Sequence, residues 1–152
     1  MTNTLTKKLL FILFPIFLHG FTLSNKGNGV LTIFISGIDT PSGSIRVAIY
    51  NSEDGFLEKN KYVFTQNKPV GNNKSLRFDF NMPHGYYAIS CYHDIDDNRT
   101  LDKNYMGVPV EPYALSNNIN IKWRRPSFDE TKIAFSKPSQ TIYLEVKRWK
   151  DR

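Results

Sequence analysis

The stretch Ser44–Tyr50 reads SIRVAIY, and it decides the fold class of this chain. Its apolar side chains Ile45, Val47 and Ile49 alternate with the side chains between them, which is the period of a strand that has one buried face. Most of these apolar residues are β-branched, and such side chains pack well on a pleated surface. The stretch therefore predicts a β-strand rather than a helix.

Segments of the same kind recur along the chain, separated by clusters of Gly, Pro, Asn and Asp. They are residues 30–36, 75–80, 86–93 and 141–146, with weaker candidates at 62–65, 118–122 and 132–135. No segment after residue 24 shows a sustained helical period. About six to eight short strands in a chain of this length predict an all-β protein, a β-sandwich or a small barrel, and we expect a single-domain antiparallel β-sandwich.

The N-terminus has the layout of a secretory signal peptide. Lys7 and Lys8 precede an uninterrupted apolar run of ten residues, LLFILFPIFL, at residues 9–18. A membrane-spanning helix needs about 20 apolar residues, so no transmembrane anchor is expected. We expect a signal peptide over residues 1–24, a sandwich domain over residues 25–152, and export to the periplasm, the outer membrane or the extracellular space.

The charge of the chain is basic and unevenly distributed. Without Lys7 and Lys8, 18 basic residues stand against 14 acidic ones, a net charge of +4. Basic residues are concentrated in 117–152 and acidic ones in 93–111. Since an exported protein rarely meets nucleic acid, we interpret the basic end as solvated surface and expect no nucleic-acid partner. The single cysteine, Cys91, excludes an intramolecular disulfide and is interpreted as a small core residue.

The largest irregular stretch, residues 94–125, contains an acidic loop that resembles a calcium-binding loop. Asp94, Asp96, Asn98 and Asp102 occupy loop positions 1, 3, 5 and 9, and Thr100 at position 7 offers its carbonyl. Calcium takes six to eight oxygen ligands, and alternate positions turn successive side chains toward one ion. These five residues are the predicted calcium ligands, and Ca²⁺ is the only cofactor that the sequence suggests.

The match to an EF-hand loop is partial. Position 6, normally Gly, is Arg99, and position 12, normally a bidentate Glu, is Tyr105. Asp97 or Glu111 could replace the missing carboxylate. The alternative is a polar turn whose side chains cap backbone N–H groups, with Arg99 and Lys103 balancing the negative charge.

Four residues around the acidic loop are candidate ligand-binding residues: His93, Tyr105, Glu111 and Tyr113. The two tyrosines flank the loop and offer apolar faces with polar tips, which suit a glycan, a peptide or another envelope protein. A hydrolase that uses the His and Asp residues of the loop is a less favoured alternative, because no nucleophile–base motif is present. A structural envelope protein that acts by docking on a partner needs no pocket and remains a second alternative.

Several blocks of sequence, in a fixed order, resemble a bacterial exported family filed as domain of unknown function number 2141. The blocks are residues 84–88 (HGYYA), 93–102 (HDIDDNRTLD), 106–113 (MGVPVEPY), 116–118 (SNN) and 126–128 (PSF). The chain departs from the family pattern at Asp96 and Asn98, and also at Ala114 and Leu115, where the family usually has Gly-Phe.

This resemblance implies an exported β-sandwich of the immunoglobulin-like or prealbumin-like kind, akin to transthyretin-like and carboxypeptidase-regulatory domains, with a signal peptide. It implies no activity, because none is assigned to the family. It also implies that the acidic loop, residues 106–113 and the SNN turn meet at one end of the sandwich. Together with the residue patterns, it predicts an exported, non-catalytic binding or accessory module.

Overall fold

The computed structural model describes residues 27–119 and 124–151. Within these ranges the chain forms eight strands: β1 (Asn28–Ser36), β2 (Ser44–Tyr50), β3 (Phe64–Pro69), β4 (Leu76–Pro83), β5 (Gly85–Asp94), β6 (Tyr113–Leu115), β7 (Ile133–Phe135) and β8 (Ser139–Glu145). The helical elements described are single turns: α1 (Phe128–Thr131) and two 3₁₀ turns, Ser116–Asn118 and Trp149–Asp151. The prediction of an all-β fold is confirmed.

The strands form two sheets. The first is three-stranded, in the order β4-β1-β8, and the second is five-stranded, in the order β3-β2-β5-β6 with β7 also paired to β5. The paired strands are antiparallel except for β1 and β8, which run parallel, with Ile35 beside Leu144. The expectation of a purely antiparallel arrangement is therefore wrong at this pair. β1 and β8 are the first and last strands described, so no hairpin joins them and sets their relative direction.

One core is shared by the two sheets. Ile33 and Phe78 of the three-stranded sheet belong to the same buried cluster as Val47 and Ile89 of the five-stranded sheet. The alternation that predicted β2 is confirmed, since all three of its inward isoleucine and valine side chains are buried. Cys91 is a buried member of this cluster, as its apolar surroundings predicted.

A second, smaller cluster covers the opposite face of the five-stranded sheet. It consists of Tyr50, Phe56, Ala88 and Phe128. The ring of Phe56 packs edge-on against Tyr50 and Phe128, at centroid distances of 5.4 and 6.1 Å. Because Ala88 lies near the middle of β5, this cluster leaves the Asp94 end of the same face to polar residues.

Several strands begin or end at residues other than those predicted. The expected strand at residues 62–65 is β3, shifted toward the C-terminus, and the expected strand at 75–80 extends to Pro83 as β4. Residues 1–24, predicted to be a signal peptide, lie outside the described residues, as does most of a short strand expected near 118–122. Among the described helices, none has the length and apolar character needed to span a membrane.

Candidate functional site

β5 ends at His93 and Asp94, whose side chains point to opposite faces because successive residues of a strand alternate. His93 is fully buried, and its Nε2 lies 2.7 Å from the carbonyl oxygen of Ser42. Its backbone N–H donates to the carbonyl of Pro112 at 2.8 Å. His93 therefore ties the β1–β2 connection and the segment before β6 to the end of β5.

Asp94 is a fully buried carboxylate at this strand end. Its Oδ2 accepts hydrogen bonds from Nε of Arg46 on β2 and, at 2.9 Å, from the backbone N–H of Arg99. Its Oδ1 is buried and accepts no hydrogen bond from the residues that the structure describes. A buried carboxylate oxygen without a donor is costly, so Asp94 retains an unused ligand atom.

The acidic loop is organised by its own side chains. Asp96 accepts hydrogen bonds from the backbone N–H and the Nδ2 of Asn98, at 3.1 and 2.9 Å. Nδ2 of Asn98 also donates to Oδ1 of Asp102 at 3.0 Å. Oδ1 of Asn98 accepts from the backbone N–H of Thr100 at 2.8 Å. Asn98 thus stands between two carboxylates with its N–H groups toward them.

Residues with left-handed backbone conformation shape the same loop. Arg99, which occupies the position of the EF-hand glycine, has a φ of +66°, and Asp97 has a φ of +58°. The sharp turn expected of a calcium loop is therefore made without glycine. The side chain of Asp97 accepts a hydrogen bond from Oγ of Ser44 at 2.6 Å, which connects the acidic loop to the start of β2.

Glu111 forms hydrogen bonds with both ends of the acidic loop. It is only 4% exposed, and its two oxygens accept hydrogen bonds from the backbone N–H groups of Ile95 and Asp102, at 2.8 and 3.0 Å. Burial raises the pKa of the Glu111 carboxyl, and the negative charges of Asp102 and Asp94 raise it further, against the lowering effect of the two N–H donors. Glu111 bridges both ends of the acidic loop at an electrostatic cost.

Three carboxylates converge at this point. One oxygen from each of Asp94, Asp96 and Glu111 lies within 4.8 Å of the others. Two of these residues were predicted ligands, and the third, Glu111, was predicted as a ligand-binding residue. Of the remaining predicted ligands, Asp102 is joined to this group through Asn98, and Thr100 is held by its backbone N–H.

Sequence reasoning missed the basic side chain that forms an ion pair with Asp94. Arg99 and Lys103 were the expected counter-charges, but the ion pair to Asp94 is made by Arg46, whose side chain is 20% exposed. The available signal was the outward position of Arg46 in the alternating β2 strand. The partner could not be inferred, because alternation does not tell which strand lies beside β2.

Tyr92 lies between this cluster and the aromatic cluster on the same face. Burial raises the pKa of its phenol to about 12, the charge of Asp94 adds to the effect, and Arg46 opposes it. Tyr113, a predicted ligand-binding residue, is the partner of Tyr92 in the β5–β6 pairing. Tyr105, the other predicted tyrosine, is 95% exposed at the tip of the loop that precedes Glu111.

The SNN turn does not join this site, contrary to the expectation taken from the family resemblance. Oγ of Ser116 accepts from the backbone N–H of Ile89 at 2.9 Å and donates to the carbonyl of Thr131. Ile89 lies five residues before Asp94 in β5, about 17 Å away along an extended strand. β6 runs antiparallel to β5 and so carries the chain away from the acidic end.

Comparison with known proteins places these features in a family. A family model described as an uncharacterised protein conserved in bacteria, domain of unknown function 2141, matches residues 33–143. The match begins within β1 and ends within β8, and it includes the acidic loop and Glu111. No curated protein and no solved structure matched the chain. The family match covers well over half of the chain, which therefore belongs to the bacterial family of domain of unknown function 2141.

Proposed function

We propose that this protein is an exported, non-catalytic binding or accessory module whose acidic loop is ordered by a bound divalent cation, calcium. The observation that carries the proposal is the Asp94 carboxylate: its buried Oδ1 has no donor among the described residues, and one of its oxygens lies within 4.8 Å of carboxylate oxygens of Asp96 and Glu111. A cation coordinated there satisfies this oxygen and joins Asp94 to Asp96 and Glu111. Hard oxygen ligands of this kind suit calcium.

The charge balance supports a cation. Three carboxylates face one ion-paired guanidinium, that of Arg46, and the pKa of Glu111 is raised by burial and by the charges of Asp102 and Asp94. A carboxyl whose pKa is raised in the folded state stabilises the fold below its ordinary pKa of 4.5, and this stability is lost as the pH rises through the folded value. Once ionised, the Glu111 carboxylate therefore costs stability, and a bound cation offsets that cost.

The position of His93 supports a non-catalytic role over the hydrolase alternative. A general base has to reach the proton that it abstracts, whereas His93 is fully buried and directed away from Asp94. The other histidine among the described residues, His84, packs against Phe135 near the opposite end of β5. The two histidines therefore do not converge on the acidic loop.

We infer further that the two sheets form a sandwich of the immunoglobulin-like or prealbumin-like kind, and that the chain is exported. The core shared by the two sheets supports the sandwich. Export rests on the sequence, namely the two lysines followed by ten apolar residues. An envelope protein, a glycan or a peptide is the proposed class of partner.

Unfolding of the full chain in chelator and then in calcium at pH 7 tests the cation site. A cation that binds only the folded state at about 100 times its Kd stabilises that state by about 2.7 kcal/mol. Asp96→Asn removes one carboxylate of the cluster and should abolish most of this stabilisation. Asp97→Asn, in the same loop but bonded to Ser44, should retain it.

Three results would contradict the proposal. One is the absence of any calcium-dependent stabilisation of the parent chain. Another is an equal loss of the response in Asp96→Asn and Asp97→Asn, which would indicate a general charge effect. A third is an equal response to magnesium at the same concentration, because magnesium demands a stricter octahedral geometry and dehydrates reluctantly.

A further inference from the structure

The carboxylate group at the end of β5 supplies fewer oxygen atoms than calcium requires. Asp94, Asp96 and Glu111 each place one oxygen within 4.8 Å of the other two, whereas calcium takes six to eight oxygen ligands. Bidentate binding by all three carboxylates is opposed by the hydrogen bonds that Oδ2 of Asp94 and both oxygens of Glu111 already accept. About three or more coordination positions are therefore left for other oxygen atoms.

The neighbouring polar side chains of the acidic loop are engaged elsewhere. Asn98 directs Nδ2 toward Asp96 and Asp102, and its Oδ1 accepts from the backbone N–H of Thr100. The Asp97 carboxylate accepts from Oγ of Ser44. Asp94 and Glu111 are buried, whereas Asp96 is exposed, so the carboxylate group has one side toward solvent. The remaining positions around a cation can be reached from that side.

The charges around the site decide what kind of oxygen suits these positions. Residues 94–111 contain five carboxylates, and three basic side chains, Arg46, Arg99 and Lys103, stand against them. The two negative charges that remain are cancelled by one Ca²⁺. Arg148, which bonds the carbonyl of Val110, is offset by Asp39 at 4.0 Å. With calcium bound, the site has no excess positive charge for an anion, and a neutral oxygen donor suits it better.

Aromatic side chains lie beside the carboxylate group. Tyr92 is two positions before Asp94 on the same face of β5, about 7 Å away along the strand. Tyr113 is its partner across the β5–β6 pair, and both tyrosines are half-buried. A tyrosine offers an apolar ring face and a polar hydroxyl tip. The surface next to the carboxylates therefore suits a ligand with both C–H and O–H groups.

We propose that the calcium site binds a neutral sugar, whose vicinal hydroxyl pair completes the coordination of the cation and whose ring packs against Tyr92. The proposal rests on the cation site of the proposed function and names its ligand. Two hydroxyls held on adjacent ring carbons bind as a preorganised pair, which lowers the entropic cost of ordering them. They add no charge to a balanced site, whereas a carboxylate ligand would make it negative.

The open coordination positions are tested first, with terbium as a luminescent substitute for calcium. Terbium also takes oxygen ligands, and its luminescence decay in H₂O and D₂O counts the water molecules bound to it. We expect about two or more bound waters on the full chain. A terbium ion without bound water would overturn the sugar proposal, because its coordination would be complete. Calcium-dependent stabilisation of the same chain would still support the cation site.

Sugar binding is then measured by saturation-transfer NMR on the full chain. The probes are methyl α-mannopyranoside and methyl β-galactopyranoside, whose vicinal hydroxyls differ in orientation. We expect a signal from at least one of them in calcium, lost in chelator and in Asp96→Asn. The permethylated glycoside, which keeps the ring but has no hydroxyl group, should give none.

A change at Tyr92 separates sugar binding from calcium binding. Tyr92→Leu should weaken the affinity for the glycoside about fivefold and retain the stabilisation by calcium. Tyr143→Leu is the matched control, because Tyr143 is 70% exposed on the other sheet, and it should retain both. If Tyr92→Leu does not fold, the glycoside and terbium measurements on the parent chain still decide.

The proposal would be overturned by a parent chain that calcium stabilises but that binds neither glycoside. Equal signals in calcium and in chelator would also overturn it, as would an equal signal from the permethylated glycoside. Tighter binding of succinate than of either glycoside would assign the open positions to a carboxylate ligand instead. A parent chain that calcium does not stabilise would contradict the cation site itself, and the sugar proposal with it.

Discussion

At the scale of single residues, the candidate site depends on a close backbone approach at Gly43. A Cβ at this position would lie 2.0 Å from the carbonyl oxygen of Asp94 and 2.7 Å from Cα of Ile95. The φ of Gly43 is +72°, a region that other residues enter at a cost. The start of the acidic loop can therefore lie against the β1–β2 connection only because residue 43 has no side chain.

We expect Gly43→Ala to lower the unfolding free energy by more than about 2 kcal/mol, since a steric overlap adds to the strain of a positive φ. Gly107→Ala is the matched control, because Gly107 has a φ of +77° with open space around its Cβ position. It should cost about 1 kcal/mol. Chemical denaturation in chelator measures both, and equal losses would show that the close approach to Asp94 carries no energy.

Among the secondary-structure elements, β6 is short, and side chains of the SNN turn that follows it form hydrogen bonds with backbone groups of the neighbouring strands. β6 pairs with β5 only as far as Leu115 opposite Ser90, and Oγ of Ser116 then takes the next backbone N–H, that of Ile89. Asn118 likewise bonds the edge of β8, with Nδ2 donating to the carbonyl of Tyr143 at 3.1 Å. Side chains here satisfy backbone groups that a longer strand would have paired.

Ser116→Ala should destabilise the fold by about 1–3 kcal/mol, because it leaves the buried N–H of Ile89 without its acceptor. The comparison is Ser139→Ala, an exposed serine at the start of β8, for which we expect a change within about 0.5 kcal/mol. Thermal unfolding with calcium titration adds a second readout. Since the SNN turn lies away from the acidic loop, Ser116→Ala should retain the calcium response of the parent, and loss of that response would link the two regions.

For the whole molecule, the important contact is the pairing of the last described strand, β8, with the first, β1. β8 is an edge strand of the three-stranded sheet, and its Leu144 is buried beside Ile35 of β1 in the shared core. β1 in turn separates β8 from β4. We therefore expect the N-terminal and C-terminal parts of the described chain to unfold as a single cooperative unit.

Leu144→Ala should cost about 2–5 kcal/mol through lost burial and the cavity left behind. Hydrogen exchange should then accelerate throughout β1 and β4 as well as in β8, because the three strands open together. Thr141→Ala, at an exposed position in the same strand, should leave exchange unchanged. Faster exchange confined to residues 139–145 would contradict a single cooperative unit.

The alternation of buried and exposed side chains was sufficient to predict most strands, because a period of two is a local property of the backbone. It predicted β2 within its observed bounds and located β5, and the spacing of Asp94 and Asp96 identified the acidic loop. Local pattern failed where a strand lacked alternation of apolar residues, as in β3, whose sequence FTQNKP carries one large apolar side chain.

The all-β class, the acidic loop and the family follow from the order of residues along the chain. The folded arrangement was needed to show that β1 and β8 pair in parallel, that Arg46 is the partner of Asp94, and that Glu111 completes the carboxylate group. Arg46 and Asp94 are 48 positions apart in the chain. A side chain's face follows from its own neighbours in sequence, but its partner follows from which strands the shared core brings side by side.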